Sequence, residues 1–149
     1  RNELLNIVMT GLEGKVNMAR MLDSLRSAPP AAIGGMPVVA FEDLRNEAGR
    51  LGPFRGATDA AARTFLIFRL AQGNYSAKVC LRPSGTEPKA KAYLEVSSAP
   101  WRPGVTADEW SANCAAVDRL VQSVATDFLG LAMATVGQTP TPGADKLSR

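Results

Sequence analysis

The chain has 149 residues, of which 46% are hydrophobic and 21% are charged. This balance supports an ordinary globular protein with one well-filled core, and the length suits about one domain. The formal net charge of +3 suits a phosphorylated ligand or, less specifically, a nucleic acid, so charge alone excludes neither class of partner.

No run of about 18 or more apolar residues would span a bilayer, and the start of the chain lacks the basic-then-apolar pattern of a signal peptide. We therefore expect a soluble protein. Cys80 falls in a strand-like run and Cys114 on the apolar stripe of a helix, so we expect both to be small core hydrophobes rather than metal or disulfide partners. A reducing cytoplasm fits this use of cysteine.

The first element is a short apolar strand at residues 4–9, and a helix over residues 12–26 follows it. Apolar residues of this helix recur at spacings of three and four, which predicts one stripe made of Leu12, Val16, Ala19, Leu22 and Leu25. Pro29 and Pro30 end the helix because proline cannot continue it.

A second strand is predicted near residues 36–41, directly after Gly34-Gly35. Residues 44–63 are rich in Arg, Gly and Ala and show no clear period. We expect this segment to be a loop with one weak turn.

The centre of the sheet is predicted at residues 64–70, a nearly continuous apolar and β-prone run that indicates burial on both faces. Gln72-Gly73-Asn74 is a turn signal, so the strand at 75–82 should pair antiparallel with it. That strand and a further one at 89–97 alternate in character. The inward residues are Tyr75, Ala77, Val79, Leu81, Ala90, Ala92, Leu94 and Val96. The outward residues are Ser76, Lys78, Cys80, Arg82, Lys89, Lys91, Tyr93 and Glu95.

The last helix begins at a capping box formed by Thr106 and Glu109. An apolar stripe about six turns long follows, at Trp110, Cys114, Val117, Val121, Val124, Phe128 and Leu131. A partner-binding coiled coil is one interpretation of this stripe. We favour packing against the domain's own sheet, because a single amphipathic helix beside an antiparallel sheet normally covers it.

The most informative segment is residues 82–89, where several anion-binding side chains fall in one tight loop between two strands. Arg82 offers five donors in a planar fork that matches phosphate oxygens two at a time. Ser84 and Thr86 add hydroxyl donors, and Lys89 adds a second positive charge at the rim. This combination predicts an anion site.

Gly85 would let the backbone adopt a positive φ and leave the neighbouring amides uncovered, so that a nest of N–H groups can close on an anion. Pro83 and Pro88 stiffen both ends of the loop. A plain hairpin turn is the alternative, since Pro-Ser-Gly is good turn chemistry by itself. A turn alone does not require Arg, Ser, Thr and Lys together, so we favour the anion site.

Arg-Pro-Ser-Gly-Thr-Glu-Pro-Lys at residues 82–89, continued by Lys91, Tyr93 and Glu95, resembles the C-terminal, fourth, phosphate-binding domain of the α-D-phosphohexomutases. These are the phosphoglucomutase and phosphomannomutase superfamily. The motif matches over eight contiguous residues, and the likeness can be followed more faintly over residues 4–131. It implies Arg82, Ser84, Gly85 and Thr86 as phosphate ligands, with Lys89 as an electrostatic helper.

Two loops that carry the chemistry in that family are missing, namely a Thr-Ala-Ser-His-Asn-Pro-like serine loop and an Asp-Gly-Asp-Gly-Asp-Arg-like metal loop. The chain contains no histidine and no Asp-x-Asp pair. A Gly-Glu-Glu-Ser-Gly-like sugar-recognition loop is also missing. We therefore expect residues 1–133 to be the last domain of a roughly four-domain enzyme, with 134–149 as a flexible tail.

The resemblance implies that the complete enzyme is an isomerase that moves phosphate within a hexose phosphate, using Mg²⁺ and a hexose 1,6-bisphosphate. This chain would bind the phosphate that is not reacting, would hold no metal or cofactor itself, and would be inactive alone. Its partners would be the sugar phosphate and the missing domains. Neither a nucleic acid nor a membrane is expected as a partner.

The order strand, helix, four strands, helix predicts an α+β fold with helices on one face of an antiparallel sheet. The resemblance implies a TATA-binding-protein-like architecture, and such a sheet could bind nucleic acid. The outward strand faces carry mixed charges, with Glu95 beside Lys91, rather than the broad basic face that groove readers use. A protein-interaction module built around the last helix is the remaining alternative.

Overall fold

A computed structural model describes residues 1–139 of the chain. Its strands are β1 (Asn2–Val8), β2 (Ala32–Ile33), β3 (Met36–Asp43), β4 (Leu66–Gln72), β5 (Tyr75–Pro83) and β6 (Lys89–Ser98). Its helices are α1 (Gly14–Ser27), α2 (Ala57–Ala62) and α3 (Ala107–Ala134). The strands form one antiparallel sheet in the order β1-β6-β5-β4-β3-β2.

Helices α1 and α3 contribute their buried residues to a single core on one face of this sheet, here called the inner face. The opposite, outer face carries charged and polar side chains. The predicted fold class is confirmed: the protein is α+β, with helices on one face of an antiparallel sheet, consistent with a TATA-binding-protein-like fold. The short elements β2 and α2 are additions that the sequence pattern did not predict.

The predicted alternation of β5 and β6 is confirmed by burial. Residues 77, 79, 81, 90, 92, 94 and 96 are all buried, and the intervening residues lie on the outer face. The prediction that β4 is buried on both faces is wrong. Only Leu66, Phe68 and Leu70 are buried, because no helix within residues 1–139 covers the outer face, where Arg69 pairs with Glu42 at 3.3 Å.

Helix α1 matches the predicted stripe only in part, since Leu25 is buried and Leu22 packs against the core while the other predicted members, Leu12, Val16 and Ala19, are exposed. Its buried residues are Gly14, Asn17, Met18, Met21 and Leu25, whereas Leu12 precedes the helix fully exposed and Val16 is 57% exposed. The cause is a close approach at Gly14, where an added Cβ would collide with the Met9 carbonyl and crowd Pro88. This contact fixes the rotation of α1 about its own axis. The rotation decides which of the two stripes, the predicted one or the observed one, faces the core.

The two-residue strand β2 forms a hairpin with β3 through Gly34 and Gly35, which have φ of 60° and 78°. This turn is held against α3. The Gly34 N–H donates to the Asp127 carboxylate at 2.6 Å, and a Cβ on Gly34 would meet the Val124 backbone within 2.6 Å. Glycine is required here both for the positive φ and for the close approach.

Helix α3 begins at the predicted capping box: the Glu109 N–H donates to the Thr106 hydroxyl, and the Thr106 N–H donates to the Glu109 carboxylate at 2.8 Å. These hydrogen bonds from the Thr106 N–H and hydroxyl lower the pKa of Glu109. The helix packs on the domain's own sheet, as favoured, against β6 and β1. Its buried stripe starts only at Val121, and Trp110 is 39% exposed.

Both expectations for the cysteines are wrong. Cys114 is exposed, because the first turns of α3 lie outside the core, which the helix reaches only from Val117 onward. Cys80 is half-buried on the outer face, opposite Tyr93, and burial raises the pKa of its thiol. Neither cysteine belongs to the inner-face core.

Residues 44–63 are better ordered than the sequence pattern suggested, since they include α2 and a buried arginine. The Arg63 guanidinium donates to both Asp59 carboxylate oxygens at 2.8 and 2.6 Å and to the Gly52 carbonyl at 2.6 Å. It also lies 5.3 Å from the centre of the Phe54 ring. The Arg63 side chain thus links Gly52 and Phe54, in the middle of the segment, to Asp59 in helix α2.

The predicted tail begins at residue 134, where α3 ends, and Val136 still packs against the core. Residues 140–149 lie outside the described residues. Within 1–139, no helix is both long enough and apolar enough to cross a bilayer.

Candidate anion-binding site

The candidate site is built on the β5–β6 loop, residues 84–88, which joins two neighbouring strands of the sheet. The Ser84 N–H donates to the Lys89 carbonyl at 2.7 Å, which closes the base of the loop. The Pro88 carbonyl accepts from the Met9 N–H at 2.9 Å, which ties the loop to the end of β1. The loop is thus held from three strands, and such support keeps binding groups in place better than a free loop does.

Ser84 organises the tip of the loop through its hydroxyl. This oxygen accepts from the Thr86 N–H at 3.4 Å and from the Glu87 N–H at 3.3 Å. Both amides therefore converge on one point beside Ser84. Because the two bonds are long and weak, a charged oxygen atom from a ligand can compete for the same amides.

Gly85 differs from the prediction in its backbone conformation. It is not among the glycines with positive φ in residues 1–139, so the expected positive-φ nest is wrong at this position. No atom lies within 4 Å of the place that a Cβ would occupy. What glycine provides here is open access to the loop amides rather than an unusual φ.

Arg82 lies on the outer face at the end of β5, opposite Lys91 of β6. Its guanidinium sits over the Phe65 ring, 5.5 Å from the ring centre. Within residues 1–139, neither Arg82 nor Lys91 nor Lys89 has a carboxylate within ion-pair distance. All three cations can therefore meet an incoming anion without breaking an ion pair.

These cations surround a cleft of about 340 Å³ between the loop and the outer face. The lining residues are Arg82, Pro83, Ser84, Gly85, Glu87, Lys89, Lys91 and Tyr93. Three cations thus stand against one carboxylate, so the cleft is strongly positive. A volume near the low end for small-molecule sites suits a compact, charged ligand group.

Four of the five predicted site residues line this cleft together, while Thr86 does not. Thr86 is exposed at the tip of the loop, and only its N–H is directed toward Ser84. Four lining residues are outside the predicted set, namely Pro83 and Glu87 of the loop region and Lys91 and Tyr93 of β6. The alternation of β6 already placed Lys91 and Tyr93 on the outer face, so that pattern would have identified these two.

The cations elsewhere on the outer face are paired, in contrast to those at the cleft. Lys78 contacts Glu95 at 2.6 Å, and the hydrogen bond and charge of Lys78 lower the pKa of Glu95. Arg69 contacts Glu42 at 3.3 Å. Among the outer-face strand residues of the described chain, positive charge without an ion pair is therefore concentrated beside the β5–β6 loop rather than spread over a broad basic surface.

Metal binding has no comparable arrangement in the described part of the chain. Among residues 1–139, no group of three or more His, Cys, Asp or Glu side chains could hold a metal ion. The residues of this part of the chain therefore do not fit the Mg²⁺ that the resemblance implies for the complete enzyme.

Comparison with known proteins shows that the chain is similar to phosphoglucomutases. Phosphoglucomutases of Staphylococcus aureus strain Mu50 and of the bovine strain RF122 are each 34% identical over 94 residues, which is 62% of this chain. The chain spans only 16% of the length of these relatives. No protein-family model matches it. The similarity and the fold together support a phosphoglucomutase-like domain.

Proposed function

We propose that this chain is the C-terminal, phosphate-binding domain of a phosphohexomutase, and that its cleft holds the phosphate that is not reacting. The observation that carries the proposal is a group of three cations, Arg82, Lys89 and Lys91, that have no ion pair within residues 1–139 and surround a loop fixed from three strands. The similarity to phosphoglucomutase supports it independently.

Each side chain of the cleft has a distinct role in this proposal. The Arg82 guanidinium donates two parallel hydrogen bonds to phosphate oxygens. The amides of Thr86 and Glu87 supply further donors, and Ser84 donates its hydroxyl hydrogen. Lys89 and Lys91 add positive charge at the rim. Glu87 orients the loop, since its carboxylate would repel a phosphate.

A domain that binds only the distant phosphate can still accelerate the reaction. Its binding energy positions the reacting hydroxyl at the opposite end of the sugar, and such positioning is worth several kcal/mol of the barrier. A mutase must bind its intermediate in both orientations, so a phosphate-only site suits it. Contacts with sugar hydroxyls here would favour one orientation.

The proposal also concerns the complete enzyme to which this domain would belong. A catalytic serine, Mg²⁺ and a hexose 1,6-bisphosphate would belong to other domains of a longer, cytoplasmic protein. This chain by itself should therefore be inactive. In an assay with glucose 1-phosphate, glucose 1,6-bisphosphate and Mg²⁺, turnover above the buffer background would contradict the proposal.

Titration of the isotope-labelled chain tests the ligand directly by amide chemical shifts. Inorganic phosphate, glucose 1-phosphate and glucose 6-phosphate should bind with similar dissociation constants in the millimolar range, worth about 4 kcal/mol. Amides of residues 82–89 should shift first. Unphosphorylated glucose is the matched control and should cause no shift. If a short DNA duplex bound far more tightly at physiological salt, nucleic-acid binding would replace this proposal.

A further inference from the structure

Phe65 is an aromatic residue next to the cleft that the proposed function does not yet use. It comes directly before β4, and its carbonyl accepts from the Leu44 N–H at 3.1 Å. Leu66 pairs with Leu81, so the same register continued by one residue brings Phe65 opposite Arg82. The ring then lies beneath the guanidinium, 5.5 Å from its central carbon.

This contact uses the face of the guanidinium and leaves its edges available. A cation over an aromatic face is attracted by the ring quadrupole, whereas all five N–H donors point outward in the guanidinium plane. Arginines held by carboxylates use their N–H donors for that contact. Arg26, for example, uses Nε and Nη1 on Asp43 and Asp23 at 2.7 Å each. Arg82 is thus held in place while its donors stay free.

The position of Phe65 is itself fixed by the arginine two residues before it. Arg63 is 5% exposed and donates to the Asp59 carboxylate and to the Gly52 carbonyl. A buried arginine with several hydrogen bonds moves little, so the chain enters β4 at a defined point.

We infer that Phe65 is a positioning residue that pre-orients the Arg82 guanidinium for an anion. The inference rests on the proposed function, because it assigns a role within the same site. An arginine ordered before the ligand arrives loses less conformational freedom on binding. Immobilising one such side chain corresponds to a factor of about two to ten in affinity.

The unmodified chain gives the first test by nuclear magnetic resonance, without any ligand. The Arg82 side-chain protons should show a ring-current shift, and the Arg82 Nε–H should be as ordered as that of Arg63. Arg55 is the matched reference, since its exposed side chain has no carboxylate or ring partner in residues 1–139. Arg82 as mobile as Arg55, with no ring-current shift, would overturn the inference.

Substitution gives the second test, with inorganic phosphate as the probe. Phe65→Leu keeps apolar bulk but removes the ring face, so phosphate affinity should fall about two- to tenfold. Phe65→Tyr should retain both the affinity and the ring-current shift. Phe54→Leu makes the same change at the ring beside Arg63, outside the cleft, and should leave phosphate affinity within about twofold while lowering stability.

The double variant separates this inference from the proposed function. If Phe65 acts through Arg82, Phe65→Leu should have no further effect on phosphate affinity in an Arg82→Ala background. Independent effects of the two substitutions would contradict the positioning role, as would wild-type affinity in Phe65→Leu. If Arg82→Ala itself left phosphate affinity unchanged, the proposed function would fail, and the inference with it.

Discussion

Replacing Arg82 separates a binding role from a structural one, because this side chain is exposed and has no ion pair within the described residues. Arg82→Ala removes only the contact with Phe65, which is worth about 0.5–1 kcal/mol at an exposed site. The free energy of unfolding should therefore fall by about 1 kcal/mol or less. Urea unfolding measures this change.

The effect on phosphate binding should be much larger. A hydrogen bond to a charged group contributes about 1.5–3 kcal/mol, and each 1.4 kcal/mol is tenfold in affinity. Loss of Arg82 should thus raise the dissociation constant for phosphate by about ten- to a hundredfold, measured by amide shifts at residues 84–88. Arg82→Lys should recover only part of the loss, because an ammonium keeps the charge without the planar fork.

The matched control is Arg55→Ala, which removes the same charge from an exposed arginine that does not line the cleft. Its phosphate affinity should stay within about twofold of the original, since exposed charges at a distance are screened by salt. Suppose Arg82→Ala bound phosphate normally and only unfolded more easily. Arg82 would then be a structural residue of the turn, and the anion assignment for the whole loop would be refuted.

Three further predictions concern stability and are measured by urea unfolding. Thr106→Ala removes the capping hydroxyl of α3 and should lower the free energy of unfolding by about 0.5–2 kcal/mol. Phe128→Ala empties a fully buried site whose ring lies 5.7 Å from that of Phe68, and should cost about 3–5 kcal/mol. Hydrogen bonds, first from Arg63, lower the pKa of Asp59 below 3.8. Its stabilising effect is therefore complete above that value and lost as the pH falls through the lowered pKa, so Asp59→Asn should flatten the stability curve on the acid side of the ordinary aspartate pKa.

Local sequence patterns determined most of the site and its framework. The alternation of β5 and β6 indicated which residues face outward, because the two-residue period of a strand is a property of its own backbone. The capping box of α3 and the turn at residues 72–74 could also be predicted, because each depends only on residues that are close together in the sequence. The chemistry of residues 82–89 indicated an anion site, and four of its five predicted residues line one cleft.

Features that depend on contacts between distant segments were decided only by the tertiary structure. The buried stripe of α1 follows from the close approach of Gly14 to Met9, and two equally regular stripes could not be told apart by spacing. Continuous apolar character in β4 indicated two buried faces, but burial depends on whether another element covers the strand. In the described part of the chain no element covers the outer face, which also leaves Cys80 outside the core.

The arrangement around Arg82 is the clearest case. Sequence alone shows an arginine at a strand end and, 17 positions earlier, a phenylalanine at the start of the predicted central strand. The pairing of β4 with β5 brings these two residues together. Short-range patterns specify which chemical groups are present, whereas strand register specifies which of them touch, and register is set by the packing of the whole sheet.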